Sequence, residues 1–189
     1  REYNAAFAAL GYSRDDIPQL QDVSRFLAQR TGFRLQPVAG LVSPREFLGA
    51  LSRRVFCATQ YIRHSSQPLY TPEPDVVHEL MGHAVMLAIP EFADLSQKIG
   101  EGSLQANDEE IRQLSTLYWF TIEYGVLWEG DALKAYGAGL LSSFGELEHS
   151  LSGVVEVRPL DPAMAADTEY PITTYQPLLW SVRSIGEAF

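Results

Sequence analysis

Residues 71–83 read TPEPDVVHELMGH, and the fold and chemistry turn on the last six, His78-Glu79-Leu80-Met81-Gly82-His83. This run is one residue longer than the HExxH zinc motif, whose histidines at i and i+4 share one face of a helix. Five residues of α-helix turn through about 500°, which leaves the two rings about 140° apart. A regular α-helix cannot aim both at one ion. Gly82 offers an exit, because glycine lets the backbone leave helical geometry just before His83. The expected arrangement is one ligand on the helix and one at its frayed end. The spacing argues against a zinc hydrolase and against Glu79 as its general base. Histidine pairs in helices are mostly structural, so a metal reading needs a third ligand.

Glu123 is the candidate. It lies within LYWFTIEYGV, residues 117–126, which is apolar on nearly every face and so reads as a buried helix. Asn107 as cap, with Glu110 three residues on, starts that helix, and it is expected to run to about Glu129 with Gly130 as its stop. A buried carboxylate requires an arginine, a histidine, a metal or a proton. An interior salt bridge and a metal site both satisfy it. Two histidines and one carboxylate form the facial triad of non-haem Fe(II) oxygenases, which leaves open positions. Fe(II) held this way carries a formal charge of +1, so O₂ and an anionic co-substrate can both approach.

Around this centre the chain reads as mainly α with short β strands. Ser43-Pro44-Arg45-Glu46 is a capping box, followed at helical spacing by Phe47, Leu51 and Val55. Thr71-Pro72-Glu73-Pro74 opens the helix carrying the histidines, and Pro90 opens another that Gly100 can close. Strand patterns fall at Leu133–Tyr136, Val154–Val157 and Ile172–Tyr175. With 189 residues, 46% hydrophobic, and neither repeat nor linker, a single domain over 1–189 is expected. A net charge of −10 disfavours nucleic acid, since phosphate binding needs clustered Lys and Arg. No apolar run approaches the roughly 18 residues of a membrane span, and Arg1–Asp16 shows no signal-peptide pattern. The lone Cys57 cannot form an internal disulfide. These features point to a cytoplasmic protein with no membrane partner.

The flanking residues carry a resemblance. TPEPDVVHELMGH, LYWFTIEYG, DALKAYGAGLLSSFGELEHSL, FRLQPVAGLVSPREFLGALSRRVFCATQYIRH and TTYQPLLWSVRS together closely resemble the pterin-dependent aromatic amino acid hydroxylases. The resemblance runs in register from about Glu2 to the C-terminus. It implies a mainly helical catalytic-domain fold, truncated at the N-terminus, around an iron cavity. It implies ring hydroxylation with O₂, tetrahydrobiopterin supplying two electrons. His78, His83 and Glu123 match the Fe(II) ligands. Arg63 matches the residue gripping the substrate carboxylate, a task suited to a planar fork; its other reading is a salt bridge. Thr71, Pro72 and Gly139 match the substrate-pocket edge and loop, and Trp119 the wall beside the ring. Gly40, Val42 and Phe47 match the pterin pocket, with Phe47 stacking on the pterin, although Phe47 and Trp119 also fit plain core. Glu79 matches a carboxylate near the pterin; its other reading is an exposed helix charge. Ser142 matches a residue bonded to the first iron histidine, helping to shape the catalytic site. His64 and His149 match no ligand.

Selectivity rests on few positions. Trp119 follows the phenylalanine and tyrosine branches, whereas the ITTY run leans toward tryptophan hydroxylases. Ile172 is apolar where tyrosine hydroxylases tend to carry an acid, and an apolar wall suits an unsubstituted ring. The reading favours L-phenylalanine to L-tyrosine, with tyrosine or tryptophan hydroxylation as alternatives. A zinc hydrolase, or a metal- and amino-acid-binding core with little turnover, are alternatives of another class. Two departures stand out: Ala84-Val85 occupies a usual Val-Pro, a change expected to loosen the turn at His83, and Pro44 a usual serine. By the family pattern the chain starts well inside the catalytic domain, so bared apolar surface and self-association are expected.

Overall fold

The computed structural model describes residues 1–66, 68, 69 and 73–188; Thr71 and Pro72, expected at the substrate-pocket edge, lie outside them. Helices α1 (Glu2–Leu10) and α2 (Leu20–Arg30) lead into strand β1 (Arg34–Pro37). Helix α3 (Pro44–Leu51) then crosses to β2 (Val55–Ala58), which pairs in parallel with β1, Leu35 opposite Phe56. Ser43 caps α3 with the expected reciprocal bonds to Glu46, and Pro44 sits in the first turn, where its missing N–H costs nothing.

The stretch 77–84 is not a frayed α-helix. Val77–Ala84 forms a π-helix that passes without a break into the short α4 (Val85–Leu87). Ala84 and Val85, in place of the usual Val-Pro, are fully buried in that continuous helix. Gly82 serves close packing: a Cβ there would lie 2.8 Å from the Ala138 carbonyl oxygen. Helix α5 (Pro90–Gly102) starts at Pro90 as expected but runs past Gly100. Gly100 instead lets α5 approach α3, where a Cβ would meet the Ser52 nitrogen at 2.3 Å.

The helix capped by Asn107 is shorter than expected. Helix α6 (Asp108–Tyr118) passes into a second π-helical segment, Trp119–Glu123, and helical structure ends there. Residues 126–129 form β3 (Val126–Glu129), paired antiparallel with β4 (Ala132–Ala135), and Gly130, at φ 62°, turns the hairpin rather than stopping a helix. An apolar run fits helix and strand equally, so periodicity could not place this boundary. After β4 come α7 (Ala138–Leu141), α8 (Phe144–Leu151), β5 (Glu156–Pro159), α9 (Pro162–Ala166) and β6 (Leu178–Val182). The second sheet has the order β4-β3-β6-β5. The strand expected at Val154–Val157 is shifted two residues on. Ile172–Tyr175 is not a strand; the strand in this region is β6, where Leu179 to Val182 are buried.

The main core gathers Leu80, Val85, Leu87 and Phe92 against Leu27, Phe33, Leu51 and Phe56. The first π-helix runs through this core, and His83 is buried within it. Among the described residues no helix is long and apolar enough to cross a membrane.

Candidate metal centre

A turn closed by i→i+5 hydrogen bonds is wider than an α-turn and sets residues five apart nearly one above the other. The spacing that misaligns two histidines on an α-helix therefore aligns them on a π-helix. The Nε2 atoms of His78 and His83 lie 2.9 Å apart, with ring centroids separated by 4.6 Å. The second π segment delivers Glu123, whose Oε1 is 3.1 Å from His83 Nε2 and Oε2 3.5 Å from His78 Nε2. Donors bonded at about 2.1 Å to one cation are roughly 3.0 Å apart at octahedral corners and roughly 3.4 Å apart at tetrahedral ones. The three separations fit a divalent cation held on one face.

The tautomer of His78 follows from its neighbours. Ser142 Oγ lies 2.9 Å from His78 Nδ1 and donates its own proton to the Ala138 carbonyl at 2.7 Å. It therefore accepts from Nδ1–H, leaving the Nε2 lone pair facing the centre. Burial lowers the His78 pKa to about 4, so the ring is neutral near pH 7. For His83, burial opposes the charged form, but Glu123 outweighs it and raises the pKa. Burial pushes Glu123 the other way, yet the two imidazoles hold its carboxyl below the usual range. His83 is flanked by Phe56 at 4.5 Å and Tyr118 at 6.4 Å, and its buried Nδ1 has no partner among the described residues.

Two carboxylates compete for the third position, because Glu79 also brings an oxygen within 4.8 Å of nitrogens of both histidines. Their bonding separates them. Glu79 is 3% exposed, and its Oε1 accepts from the Thr59 N–H and hydroxyl, each at 2.8 Å. It is not the exposed charge allowed as its second reading, and burial raises its pKa. Glu123 turns both oxygens to the imidazoles. Close packing fixes it there: a Cβ on Gly137 would lie 2.3 Å from the Glu123 carbonyl oxygen, and one on Gly139 3.0 Å from the same atom. The Gly137–Gly139 loop thus accommodates the Glu123 backbone.

Arg63 stands at the entrance to the first π-helix. Its Nε and Nη2 donate to Asp75 at 2.6 and 2.8 Å, and Nη1 donates to the Pro68 carbonyl at 3.2 Å. Fully buried Asp75 also accepts from the Val77 and His78 N–H groups at 3.1 Å each, capping the helix. The salt-bridge reading of Arg63 holds, and the bridge stands one residue pair away from a ligand.

Trp119, half-buried, packs on Tyr170 at 4.4 Å and Tyr124 at 4.6 Å, and its indole N–H donates to Gln176 Oε1 at 3.0 Å. Half-buried Phe47 meets Phe56 and Tyr118 edge-on, at 5.6 and 5.3 Å, so an aromatic string runs from Phe47 to His83. Gly40 and Val42 are half-buried in the loop before α3. Ile172 is 74% exposed and walls no buried pocket. His64 bonds to Ser66, and His149 packs on Tyr175. Asp75, Thr59 and Gln176 were not singled out from the sequence. Asp75 was findable as an acid three residues before His78, in the N-cap position. The other two act across long separations that no local pattern encodes.

A family model for biopterin-dependent aromatic amino acid hydroxylases matches residues 1–189. The chain belongs to that family. Among the hydroxylases it matches, the phenylalanine-4-hydroxylase of Dictyostelium discoideum is 58% identical over 178 residues, covering 94% of this chain and 40% of that protein. The tyrosine 3-monooxygenase of Rattus norvegicus is 57% identical over 192 residues, covering 100% of this chain and 39% of that protein. A solved phenylalanine hydroxylase of Chromobacterium violaceum, with bound iron(III) and oxidised cofactor 7,8-dihydrobiopterin, superposes with a TM-score of 0.94 at 31% identity. That alignment covers 99% of this chain and 69% of that one, and the fold is the hydroxylase catalytic-domain fold. This hydroxylase-family chain spans about two fifths of the length of the curated relatives it matches.

Proposed function

We infer that the chain binds Fe(II) through His78 Nε2, His83 Nε2 and Glu123, and hydroxylates the ring of an aromatic amino acid, L-phenylalanine above others. The observation that carries this reading is the convergence of three donor side chains from two π-helical segments, each pair of them approaching within 3.5 Å. Iron in such a site, with tetrahydrobiopterin as two-electron donor, supplies O₂-dependent ring hydroxylation.

The chain's own side chains bind and orient. Ser142 fixes His78 in the tautomer that offers Nε2, an ordinary task for an outer partner of a ligand. Arg63 keeps one proton each on Nη1 and Nη2 beyond its bonds to Pro68 and Asp75, and these can receive a substrate carboxylate beside the helix that holds His78. Trp119 walls the ring. Phe47 offers an aromatic surface to the pterin, and buried Glu79 lies beside both histidines. Phenylalanine and tyrosine hydroxylases match this chain almost equally, so preference rests on the pocket. With Ile172 exposed, the support is the aromatic wall of Trp119, Tyr124 and Tyr170, an apolar surface suited to an unsubstituted ring. A zinc hydrolase is disfavoured because Glu79 Oε1 is committed to the Thr59 N–H and hydroxyl.

The test is anaerobic Fe(II) loading, then phenylalanine, tetrahydrobiopterin and air, with product identification. Tyrosine is expected only when both pterin and O₂ are present. Iron and phenylalanine binding without product would leave a binding core, and zinc-dependent hydrolysis without O₂ would overturn the oxygenase reading.

Gln176 gives a sharper test of the wall. It is fully buried, takes the Trp119 indole proton, donates Nε2–H to the Pro171 carbonyl at 2.7 Å, and its backbone N–H bonds to buried Glu146 at 2.9 Å. Gln176→Leu removes the indole's acceptor, a net loss of about 1 kcal/mol. The KM for phenylalanine is expected to rise about fivefold, while the KM for tetrahydrobiopterin stays within about twofold. Equal shifts in both would place Trp119 outside the substrate pocket.

A further inference from the structure

We propose that Tyr3 and Tyr12 are positioning residues that hold the first π-helix open, so that His78 and His83 point at one cation. The inference rests on the metal reading above. The Tyr3 hydroxyl donates to the Met81 carbonyl at 2.8 Å, and the Tyr12 hydroxyl to the Leu80 carbonyl at 3.2 Å. These two carbonyls lie between the histidines, on the part of the turn that must stay wide. A carbonyl has two lone pairs, and one pointed outward from a helix accepts a second donor. Two such donors on consecutive carbonyls favour the turn in which both are splayed outward.

The N-terminal segment is built to deliver them. Tyr3 and Phe7 are four apart on α1, so their rings share one face, with centroids 6.1 Å apart. Gly11, at φ 69°, ends α1 in the left-handed region, its N–H bonded to the Ala8 carbonyl. The chain reverses there and brings Tyr12 edge-on to Phe7 at 5.4 Å. The three rings pack as one layer on the main core, with both hydroxyls at its far edge on the π-turn. Neighbouring carbonyls are held from α2: Thr31 Oγ1 donates to Leu87 at 2.8 Å and Arg30 Nε to Ala88 at 2.7 Å. The two tyrosines act inside the interval between the ligands.

The test is the double variant Tyr3→Phe, Tyr12→Phe, which keeps the rings and removes only the hydroxyls. Co(II) alone serves as the probe, its affinity and ligand-field absorption bands reporting site geometry without turnover. The double variant is expected to bind Co(II) about tenfold more weakly, with displaced bands, as for other outer partners of metal ligands. A comparison variant, Val155→Ala in the separate cluster of Val126, Leu140 and Leu179, is expected to lower Tm while leaving the bands in place. Parent-like affinity and bands in the double variant would overturn the inference, whatever its Tm. If the double variant does not fold, the two single variants are judged by the same criterion. A parent chain that binds no Co(II) would overturn the metal reading itself, and this inference with it.

Discussion

Glu123→Gln is expected to weaken divalent metal binding by more than about 100-fold, beyond the 10- to 100-fold typical of losing an outer partner, and to remove ring hydroxylation with it. Glu123 directs its oxygens at both imidazoles, 3.1 and 3.5 Å from their Nε2 atoms. An amide of the same shape keeps the packing against Gly137 and Gly139 but presents a neutral oxygen, and an N–H₂ that repels a cation. Calorimetric titration with Fe(II) or Co(II) measures the loss, and circular dichroism checks that the fold persists. The pH dependence has a definite sign. Glu123 raises the His83 pKa, so in the parent a proton competes with the metal at a higher pH than it would at a free imidazole, and affinity falls as pH drops through that raised value. In the glutamine variant that competition moves to lower pH. A variant that retains parental affinity would transfer the third ligand to Glu79.

The capped starts of α3 and α6 were legible because a capping box is local: Ser43 with Glu46 and Asn107 with Glu110 form as read. The chemistry was legible in part for a related reason. The i+5 spacing is itself the mark of a π-turn, since it is the register such a turn brings into line. Gly82 suggested a broken helix, whereas its lack of a side chain serves contact with Ala138. The end of the α6 region was not legible. LYWFTIEYGV is apolar throughout, and what stops the helix after Glu123 is tertiary: the Gly125 carbonyl accepts from the Tyr136 and Gly137 N–H groups at 3.1 and 3.0 Å, pulling the chain into the β3–β4 hairpin. Ile172 misled for a like reason. The β-branched and aromatic run Ile172–Tyr175 fits a strand by composition, but buried Gln176, anchored on Glu146 and Pro171, holds the segment as a loop with Ile172 outside. The choice between Glu79 and Glu123 as ligand likewise depends on Thr59, twenty residues from Glu79, and no motif encodes that contact.

Arg63→Leu is expected to cost about 3 kcal/mol of stability at neutral pH, the range for removing one partner of a buried pair. The guanidinium is mostly buried and Asp75 wholly so, and the leucine would leave a carboxylate with no counter-charge at the N-terminus of the π-helix. Burial alone would push the Asp75 carboxyl up; Arg63 and the helix N–H groups outweigh it and hold it below its ordinary value. A depressed folded-state pKa contributes stability above the unfolded-state value of about 3.9, and that contribution disappears as pH falls through the folded value. The difference in Tm between parent and Arg63→Leu is therefore expected to be large at pH 7 and to shrink as pH falls through the depressed folded value, where Asp75 takes up its proton in the parent as well. Substrate binding separates the second role of the same residue. Arg63→Lys keeps a charge near Asp75 but not the bidentate fork, so it is expected to recover part of the stability while the KM for phenylalanine stays at least about tenfold above the parent. If lysine restores KM and Tm together, Arg63 acts only through Asp75, and the substrate carboxylate is held elsewhere.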